Sequence, residues 1–144
     1  MSASAQQIEK LNSNLPPVVE TMQARVISAD KEKGWIEVTF DMHEKFCHAL
    51  GLQGGLIAAM LDNAMARVGH LISDGQLYPS TMEMKVSYFR PGKVGFHRAE
   101  GQLVRRGRSV AFLQGSLFNA SNQLIAKATC TVKLIPIESV VPQS

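Results

Sequence analysis

The longest helical pattern in the chain is GGLIAAMLDNAMARVGHLIS, residues 54–73. Apolar side chains recur in it every three or four residues, which is the spacing of one face of an α-helix. Asp74-Gly75 follows directly and is typical of a helix end. The sequence therefore predicts one long helix over Gly54–Ser73, with an apolar face that another element must cover.

Alternating apolar and polar residues predict strands on both sides of this helix. Met22–Ala29 and Trp35–Phe40 are predicted to form a hairpin around the charged turn that ends in Gly34. Four more strands are expected after the helix, at Thr81–Phe89, Val94–Arg105, Ser109–Phe118 and Gln123–Leu134. Because short turns separate them, they should be antiparallel neighbours. The predicted fold class is α+β, with a curved antiparallel sheet wrapped around one long central helix.

The size and composition fit a single folded domain over residues 1–144, with a helical N-terminal segment at 1–20 and a tail at 138–144. The chain has 144 residues, of which 45% are hydrophobic, enough for a full core. No apolar run approaches the roughly 18 residues of a membrane span. The first fifteen residues lack the basic start and apolar centre of a secretory signal. We therefore expect a cytoplasmic protein whose two cysteines are free thiols.

Positive charge is concentrated in residues 85–108, the basic segment. The chain carries a net charge of +3, but this segment alone holds seven Lys and Arg residues against the single acid Glu100. An anionic ligand could dock there, or the charges could simply solvate strand faces and turns. Few aromatic residues are interleaved and no nucleic-acid-binding motif is present, so nucleic acid is not an expected partner.

Asp62 is the only carboxylate between Leu52 and Ser73. Its neighbours three and four positions away carry no charge: Ala58, Ala59, Met65 and Ala66. Such a carboxylate either lies at the solvent edge, capping or pairing with another element, or is pressed against a second surface. In the second case burial without a partner raises its pKa and makes it a better proton acceptor.

Gln53-Gly54-Gly55 stands at the predicted start of the helix. Two glycines there leave unpaired N–H groups open to a closely approaching ligand, and the helix dipole adds positive potential. This is the outline of an oxyanion hole. The alternative is a glycine-rich turn that only lets the chain enter the helix.

Asp62 and Gly54 are too far apart to act together within one chain. Asp62 lies eight residues past Gly54, which places it about 12 Å along the helix axis. A reacting carbonyl has to lie within hydrogen-bonding reach of both groups. If both are catalytic, Asp62 must therefore come from a second subunit, which predicts a two-fold homodimer with two equivalent interface sites.

Two longer motifs resemble hot-dog-fold thioesterases of the phenylacetate-degradation and human thioesterase-superfamily type. Residues 53–62, QGGLIAAMLD, resemble the segment of that family that runs from the helix start to the acid. Residues 81–91, TMEMKVSYFRP, resemble its strand that ends in Tyr-x-Arg-Pro, and RGRS (106–109) and LIAKA (124–128) match its strand turns. The resemblance covers most of the chain and implies the hot-dog fold and hydrolysis of acyl-CoA thioesters to free acid and CoA.

The resemblance also implies residue roles. Asp62 would be the base or nucleophile, the Gly54 N–H would polarise the thioester carbonyl, and Ser80 or Thr81 would hold the attacking water. Gln53 would occupy the position where the family usually has His. Its amide could donate a hydrogen bond to a carbonyl but could not accept and release a proton as an acid–base catalyst. The implied substrate-binding residues are Gly55, Cys47, Arg90, Arg106, Arg108 and Ser109, with the arginines meeting CoA phosphates.

Other functions remain open at this point. Gln53, and Cys47 in place of a frequent Asn, favour an alternative in which a hot-dog module binds acyl-CoA without hydrolysing it. A hot-dog dehydratase is a third possibility, although no His lies on the helix near Asp62. A Cys47 thiol nucleophile with His43 or His48 is a fourth. No cofactor is implied, the histidines lack metal-ligand spacing, and the expected assembly is a homodimer or a dimer of dimers.

Overall fold

The computed structural model of the protein describes residues 2–140, so the last four residues of the predicted tail lie outside it. In chain order, the helices and strands are α1 (Ala5–Leu11), α2 (Pro17–Thr21), β1 (Arg25–Asp30), β2 (Trp35–Met42), β3 (Cys47–His48), β4 (Gly51–Leu52), α3 (Gly54–Ile72), β5 (Leu77–Tyr88), β6 (Gly95–Arg106), β7 (Val110–Asn119) and β8 (Leu124–Pro136). Two short 3-10 turns lie at Glu44–Phe46 and Ile137–Ser139. None of the helices in residues 2–140 combines the length and apolarity needed to span a bilayer.

The long helix α3 is present as predicted and ends one residue earlier, at Ile72. Asp74 and Gly75 follow with φ of 51° and 76°, the left-handed conformation that commonly ends a helix. The apolar face of α3 is buried in the core, with contributions from Ile57, Met60, Leu61, Ala64, Met65, Val68 and Leu71. Helical spacing was therefore sufficient to identify both the helix and its buried face.

The six long strands form one antiparallel sheet in the order β1-β2-β6-β7-β8-β5. The helix α3 packs against β2, β5, β6, β7 and β8. Along β8 the alternation expected from the sequence is observed, because Ala128, Cys130 and Val132 are buried while Lys127 and Thr129 are exposed. The predicted α+β class and the hot-dog arrangement of sheet and helix are confirmed. The expectation that β5 and β6 are neighbours is wrong, because β5 lies at the far edge of the sheet and pairs with β8, although only a short loop joins it to β6.

Several element boundaries differ from the predictions for local reasons. The first strand begins at Arg25 because Met22 and Ala24 donate backbone hydrogen bonds to Val18 and Val19 of α2. The strand β5 begins at Leu77, four residues early, because residues 77–80 continue its pairing with the far end of β8. Pro79 is tolerated there because β5 is an edge strand.

A small hairpin, β3 and β4, positions the start of α3 and was not predicted. Gly51 adopts a φ of +125°, and a Cβ there would collide with the carbonyl oxygen of Gly92. That same carbonyl accepts a hydrogen bond from the Leu52 N–H at 2.8 Å. The Gln53 N–H donates to the Phe46 carbonyl at 3.0 Å. These contacts fix the start of α3 against the loop between β5 and β6 and against the 3-10 turn at Glu44–Phe46.

Candidate active site

Asp62 is half-buried on α3, and its Oδ1 accepts a hydrogen bond from the Thr81 hydroxyl at 2.7 Å. Thr81 is paired with the buried residue Val132 of β8, so it lies on the face of β5 that meets the helix. The adjacent residue Ser80 lies on the opposite face, because side chains alternate along a strand. Of the two residues expected to hold water beside Asp62, the structure therefore brings Thr81 to the carboxylate and leaves Ser80 away from it.

The start of α3 offers a narrower donor set than the sequence suggested. Gln53 is the N-cap residue, and its Oε1 accepts the Gly55 N–H at 2.7 Å. The expectation that Gly55 offers a free N–H to substrate is therefore wrong for this conformation. The Gly54 N–H is the first of the helix and has no acceptor within it. Since Oε1 of Gln53 is engaged, its Nε2 amide group is the part of the side chain that can donate to a ligand.

Tyr88, at the end of β5, is a contact of the helix start that sequence reasoning did not single out. Its hydroxyl donates to the Gly54 carbonyl at 2.8 Å. A Cβ added at Gly54 would lie 3.5 Å from the Tyr88 hydroxyl, an ordinary van der Waals distance. Tyr88 therefore holds the first residue of the helix in place, and its position just before Arg90-Pro91 was the available signal.

Cys47 lies on β3, half-buried, directly after the residue whose carbonyl binds Gln53. The histidines that could have activated its thiol are engaged locally. His43 Nδ1 accepts from the Lys45 N–H at 3.0 Å, and His48 Nδ1 accepts from the Leu50 N–H at 3.2 Å. The structure thus places Cys47 near the helix start without giving it a histidine partner among the described residues.

The second thiol, Cys130, lies on the inner face of β8. Burial raises its pKa to about 12, and the negative charges of Asp62 and Glu83 add to the shift. The thiol is therefore protonated at neutral pH and unsuited to nucleophilic attack.

The basic segment does not form one patch within a protomer. Arg90 follows β5 beside the helix start, where the Phe89 and Arg90 N–H groups both bind the Ile125 carbonyl. Arg106 instead donates to the carbonyl of Ile72 at 3.4 Å, at the other end of α3, roughly 27 Å away along the helix axis. The exposed residues Arg108 and Ser109 lie in the turn that follows Arg106. The expectation that the basic residues of 85–108 form a single docking surface is therefore wrong within one protomer.

The edge of the sheet next to the candidate site is open. Among the described strands, β5 pairs only with β8, so its other side presents unpaired backbone groups over 12 residues. Met82 and Tyr88 on this strand are 60% and 50% exposed. Across residues 2–140, no group of three or more His, Cys, Asp and Glu side chains is arranged to hold a metal ion.

Comparison with known proteins gives a consistent family. The sequence profile of the thioesterase superfamily matches residues 52–126. The chain is 33% identical over 93 residues to the medium/long-chain acyl-CoA thioesterase YigI of Salmonella typhimurium (strain LT2), covering 56% of this chain and 60% of that protein.

Solved structures agree with this match. A phenylacetic acid degradation-related protein of Ralstonia eutropha JMP134 superimposes with a TM-score of 0.80 at 30% identity, covering 88% of this chain and 98% of that one. The fold is also shared with smu.793 of Streptococcus mutans UA159 bound to acetyl CoA, with a TM-score of 0.66 at 23% identity, covering 77% of this chain and 87% of that one. Because the family profile spans more than half of its residues, including the helix start, Asp62 and Thr81, the chain belongs to the thioesterase superfamily.

Proposed function

We propose that the protein hydrolyses acyl-CoA thioesters to the free acid and CoA. The observation that carries this proposal is the Asp62 carboxylate, oriented by the Thr81 hydroxyl at 2.7 Å, on the same helix that opens with the free Gly54 N–H. Two similar proteins support acyl-CoA as the substrate class. YigI is a medium/long-chain acyl-CoA thioesterase, and the structure of smu.793 has acetyl CoA bound.

The proposed chemistry assigns one task to each group. Asp62 Oδ1 is held by Thr81, so Oδ2 is available to take a proton from water, or to attack the carbonyl and form an anhydride that water then opens. In either route a C–O bond forms, the C–S bond breaks, and the CoA sulfur leaves and is protonated. The Gly54 N–H and the Gln53 amide stabilise the negative charge that develops on the carbonyl oxygen.

The proposed site is shared by two subunits. Asp62 and Gly54 lie about 12 Å apart along one helix, and no bend brings them together. An antiparallel second copy would set its Asp62 against Gly54, with the two-fold axis beside Ala58, midway between the two positions. Ala58 and Ala59 are small and half-buried, which suits close approach of a second helix. The open edge of β5 supports the same arrangement, because exposed edges invite pairing with another strand.

In this dimer, arginines that lie far apart within one protomer would lie on the same side of the molecule. When Asp62 of the partner subunit faces Gly54, the end of the partner's helix lies ten residues further on, about 15 Å along the axis. Arg106, Arg108 and Ser109 of the partner subunit would then lie at the same side of the molecule as Arg90. An extended CoA arm running between the subunits would meet positive charge from both.

The cellular setting and the higher assembly are also part of the proposal. The two free cysteines, Cys47 and Cys130, support a reducing compartment such as the cytoplasm. Val104 and Phe112 are exposed on the outer face of the sheet. Exposed apolar side chains at this place support association of two dimers into a tetramer.

A second candidate is a module that binds acyl-CoA without hydrolysis. It is favoured by Gln53, which can donate to a carbonyl but cannot transfer a proton. The two functions differ in one observable, the release of free CoA thiol. Tight binding of acyl-CoA to the wild-type protein with no thiol release would favour the binding module.

The experiment that tests the hydrolase is a thiol-release assay over acyl-CoA substrates of several chain lengths, with the wild type and Asp62→Asn. Loss of the general base or nucleophile should lower kcat by about 10²-fold or more. The matched control is Asp74→Asn, since Asp74 lies in the turn after α3 and pairs with Lys31 at 2.6 Å. Full activity of Asp62→Asn would contradict the proposal.

A further inference from the structure

A series of hydrogen bonds at the start of α3 joins the Tyr88 hydroxyl to the Gln53 side chain. The hydroxyl donates to the Gly54 carbonyl at 2.8 Å. That carbonyl belongs to the same peptide group as the Gly55 N–H, which donates to Gln53 Oε1 at 2.7 Å. The Nε2 group lies at the other end of the Gln53 amide, and Gln53 is exposed. We call the Tyr88 hydroxyl, this peptide group and the Gln53 amide the donor series.

Both bonds of the donor series are well formed. The O–H···O distance of 2.8 Å is typical of a hydroxyl donor, and 2.7 Å is at the short end of the range for N–H···O bonds. The regular bonding of an α-helix directs the Ala58 N–H to the same Gly54 carbonyl. Because two donors polarise this carbonyl, the Gly55 N–H of its peptide group becomes a stronger donor in turn.

Gln53 is held at its backbone and at its side chain. Its N–H donates to the Phe46 carbonyl at 3.0 Å, and its own carbonyl accepts the Leu56 N–H at 2.8 Å. The Gly55 N–H fixes the side-chain amide, which would otherwise turn about three single bonds. Because an N–H group needs an acceptor, it binds Oε1 and leaves the two Nε2 hydrogens for a ligand.

Glycine at position 55 provides the space that the Gln53 amide occupies. A Cβ at Gly55 would lie 2.6 Å from Gln53 Oε1, which is too close for a real contact. Gly55 is a helical residue, so its backbone conformation does not itself require glycine. The preceding Gly54 differs, since a Cβ there would meet only the Tyr88 ring and hydroxyl at ordinary distances of 3.5 to 3.6 Å. The close approach of Gln53 is therefore the structural reason for glycine at position 55.

We infer that Tyr88 is a positioning residue, which strengthens the Gln53 amide as a donor to the thioester carbonyl. This inference rests on the proposed function. No proton moves along the donor series: the Tyr88 hydroxyl polarises the peptide group between Gly54 and Gly55, and that group orients and polarises the Gln53 amide. A neutral amide is a weaker donor than a charged group, so the added polarisation matters most when the carbonyl oxygen becomes negative in the transition state.

The first test is the thiol-release assay with Tyr88→Phe, which keeps the ring and removes the hydroxyl. We expect kcat to fall about fivefold with little change in KM, because the donor is weakened and not removed. The matched control is Tyr78→Phe. Tyr78 is the other tyrosine of the chain, lies on the same strand β5 and is 42% exposed, compared with 50% for Tyr88. This control should keep the kcat of the wild type.

A double-mutant cycle distinguishes the donor series from a purely structural contact. Gln53→Ala removes the end of the series and leaves the Gly54 N–H as a donor, so activity remains measurable. In this background Tyr88→Phe should leave kcat unchanged within about twofold. If Tyr88 only held the first residue of α3 in place, the same loss would occur with and without Gln53. Equal losses in the two backgrounds would overturn the inference.

A spectroscopic readout follows the Gly55 amide proton in the free protein. Tyr88→Phe should move its NMR resonance upfield, because the hydrogen bond to Gln53 weakens, and Tyr78→Phe should leave it in place. A wild-type protein that releases no CoA thiol would contradict the proposed hydrolysis and this inference together. An active wild type would retain the hydrolysis but overturn the role of Tyr88 if Tyr88→Phe kept full kcat or left the Gly55 resonance unmoved.

Discussion

At the residue scale, the Thr81 hydroxyl determines how the Asp62 carboxylate is presented. It occupies Oδ1 at 2.7 Å and leaves Oδ2 to water or substrate. The sequence could not choose between Ser80 and Thr81, because the loop through Tyr78-Pro79 left the register open by one position. Pairing of Thr81 with Val132 on β8 settles which of the two meets the helix, and this depends on a contact between strands that are distant in sequence.

Replacing Thr81 with Val keeps the shape of the side chain and removes the hydroxyl. We expect kcat to fall while KM for acyl-CoA changes little, because the carboxylate loses its orientation and the substrate contacts remain. Thr81→Ser should recover most of the loss. Thr129→Val, the same change at an exposed position on β8, is the control; a Thr81→Val enzyme with unchanged kcat would show that the hydroxyl has no positioning role.

The buried thiol of Cys130 leads to a prediction about how stability and thiol labelling depend on pH. Burial raises the pKa of its thiol to about 12, above the value near 8.5 of a free cysteine. Between these two pH values only the unfolded protein loses the thiol proton. The contribution of Cys130 to the free energy of unfolding is therefore complete below about pH 8.5 and declines as the pH rises further. At pH 9, a disulfide reagent should label one thiol rapidly and Cys130 only after denaturant is added, and Cys47→Ser should abolish the rapid phase. Rapid labelling of both thiols in the folded wild type would contradict this environment.

At the element scale, the helix α3 was predictable from the sequence, but the contacts that position its first residues were not. Residues 54–73 carry a strong helical period, so the helix and its buried face follow from the sequence. The Tyr88 contact and the collision that reserves Gly51 for glycine join the helix start to segments that follow it at a distance in the sequence. A periodic pattern contains no information about such contacts, and the hairpin of β3 and β4 is too short to give one.

The N-terminal N–H of α3 can be removed without breaking the helix. Gly54→Pro places proline at the first helical position, where it is well tolerated, and Gln53 before it has φ −63° and ψ 136°, a conformation that precedes proline readily. We expect kcat to fall roughly 10²- to 10³-fold. Gly54→Ala keeps the N–H and adds a methyl group at an ordinary contact distance from Tyr88, so circular dichroism and kcat should both stay close to the wild type. Similar activity of the two variants would rule out this N–H as the oxyanion donor.

At the scale of the whole molecule, the basic residues that are contiguous in the sequence do not lie together in the folded protomer. Residues 85–108 are contiguous in sequence, but β6 carries the chain over 12 residues, about 40 Å of extended strand, from the side of Arg90 to that of Arg106. The strands themselves and the separation of Asp62 from Gly54 were predictable from periodicity and helix geometry. The strand order was not, because β5 pairs with β8 rather than with β6, which follows it after a short loop. How the two halves of the site meet was predictable only as a requirement for a second subunit.

The central claim is that each active site takes Asp62 from one subunit and the Gly54 N–H from the other. Its most direct measurement is the activity of an equimolar mixture of Asp62→Asn and Gly54→Pro subunits, unfolded together and refolded so that they exchange. Half of the dimers then contain one subunit of each kind, and each mixed dimer has one site with an intact Asp62 facing an intact Gly54. The account predicts recovery of about a quarter of wild-type activity, from two preparations that are each nearly inactive. A mixture no more active than its components, with mixed dimers demonstrated by mass spectrometry, would contradict it.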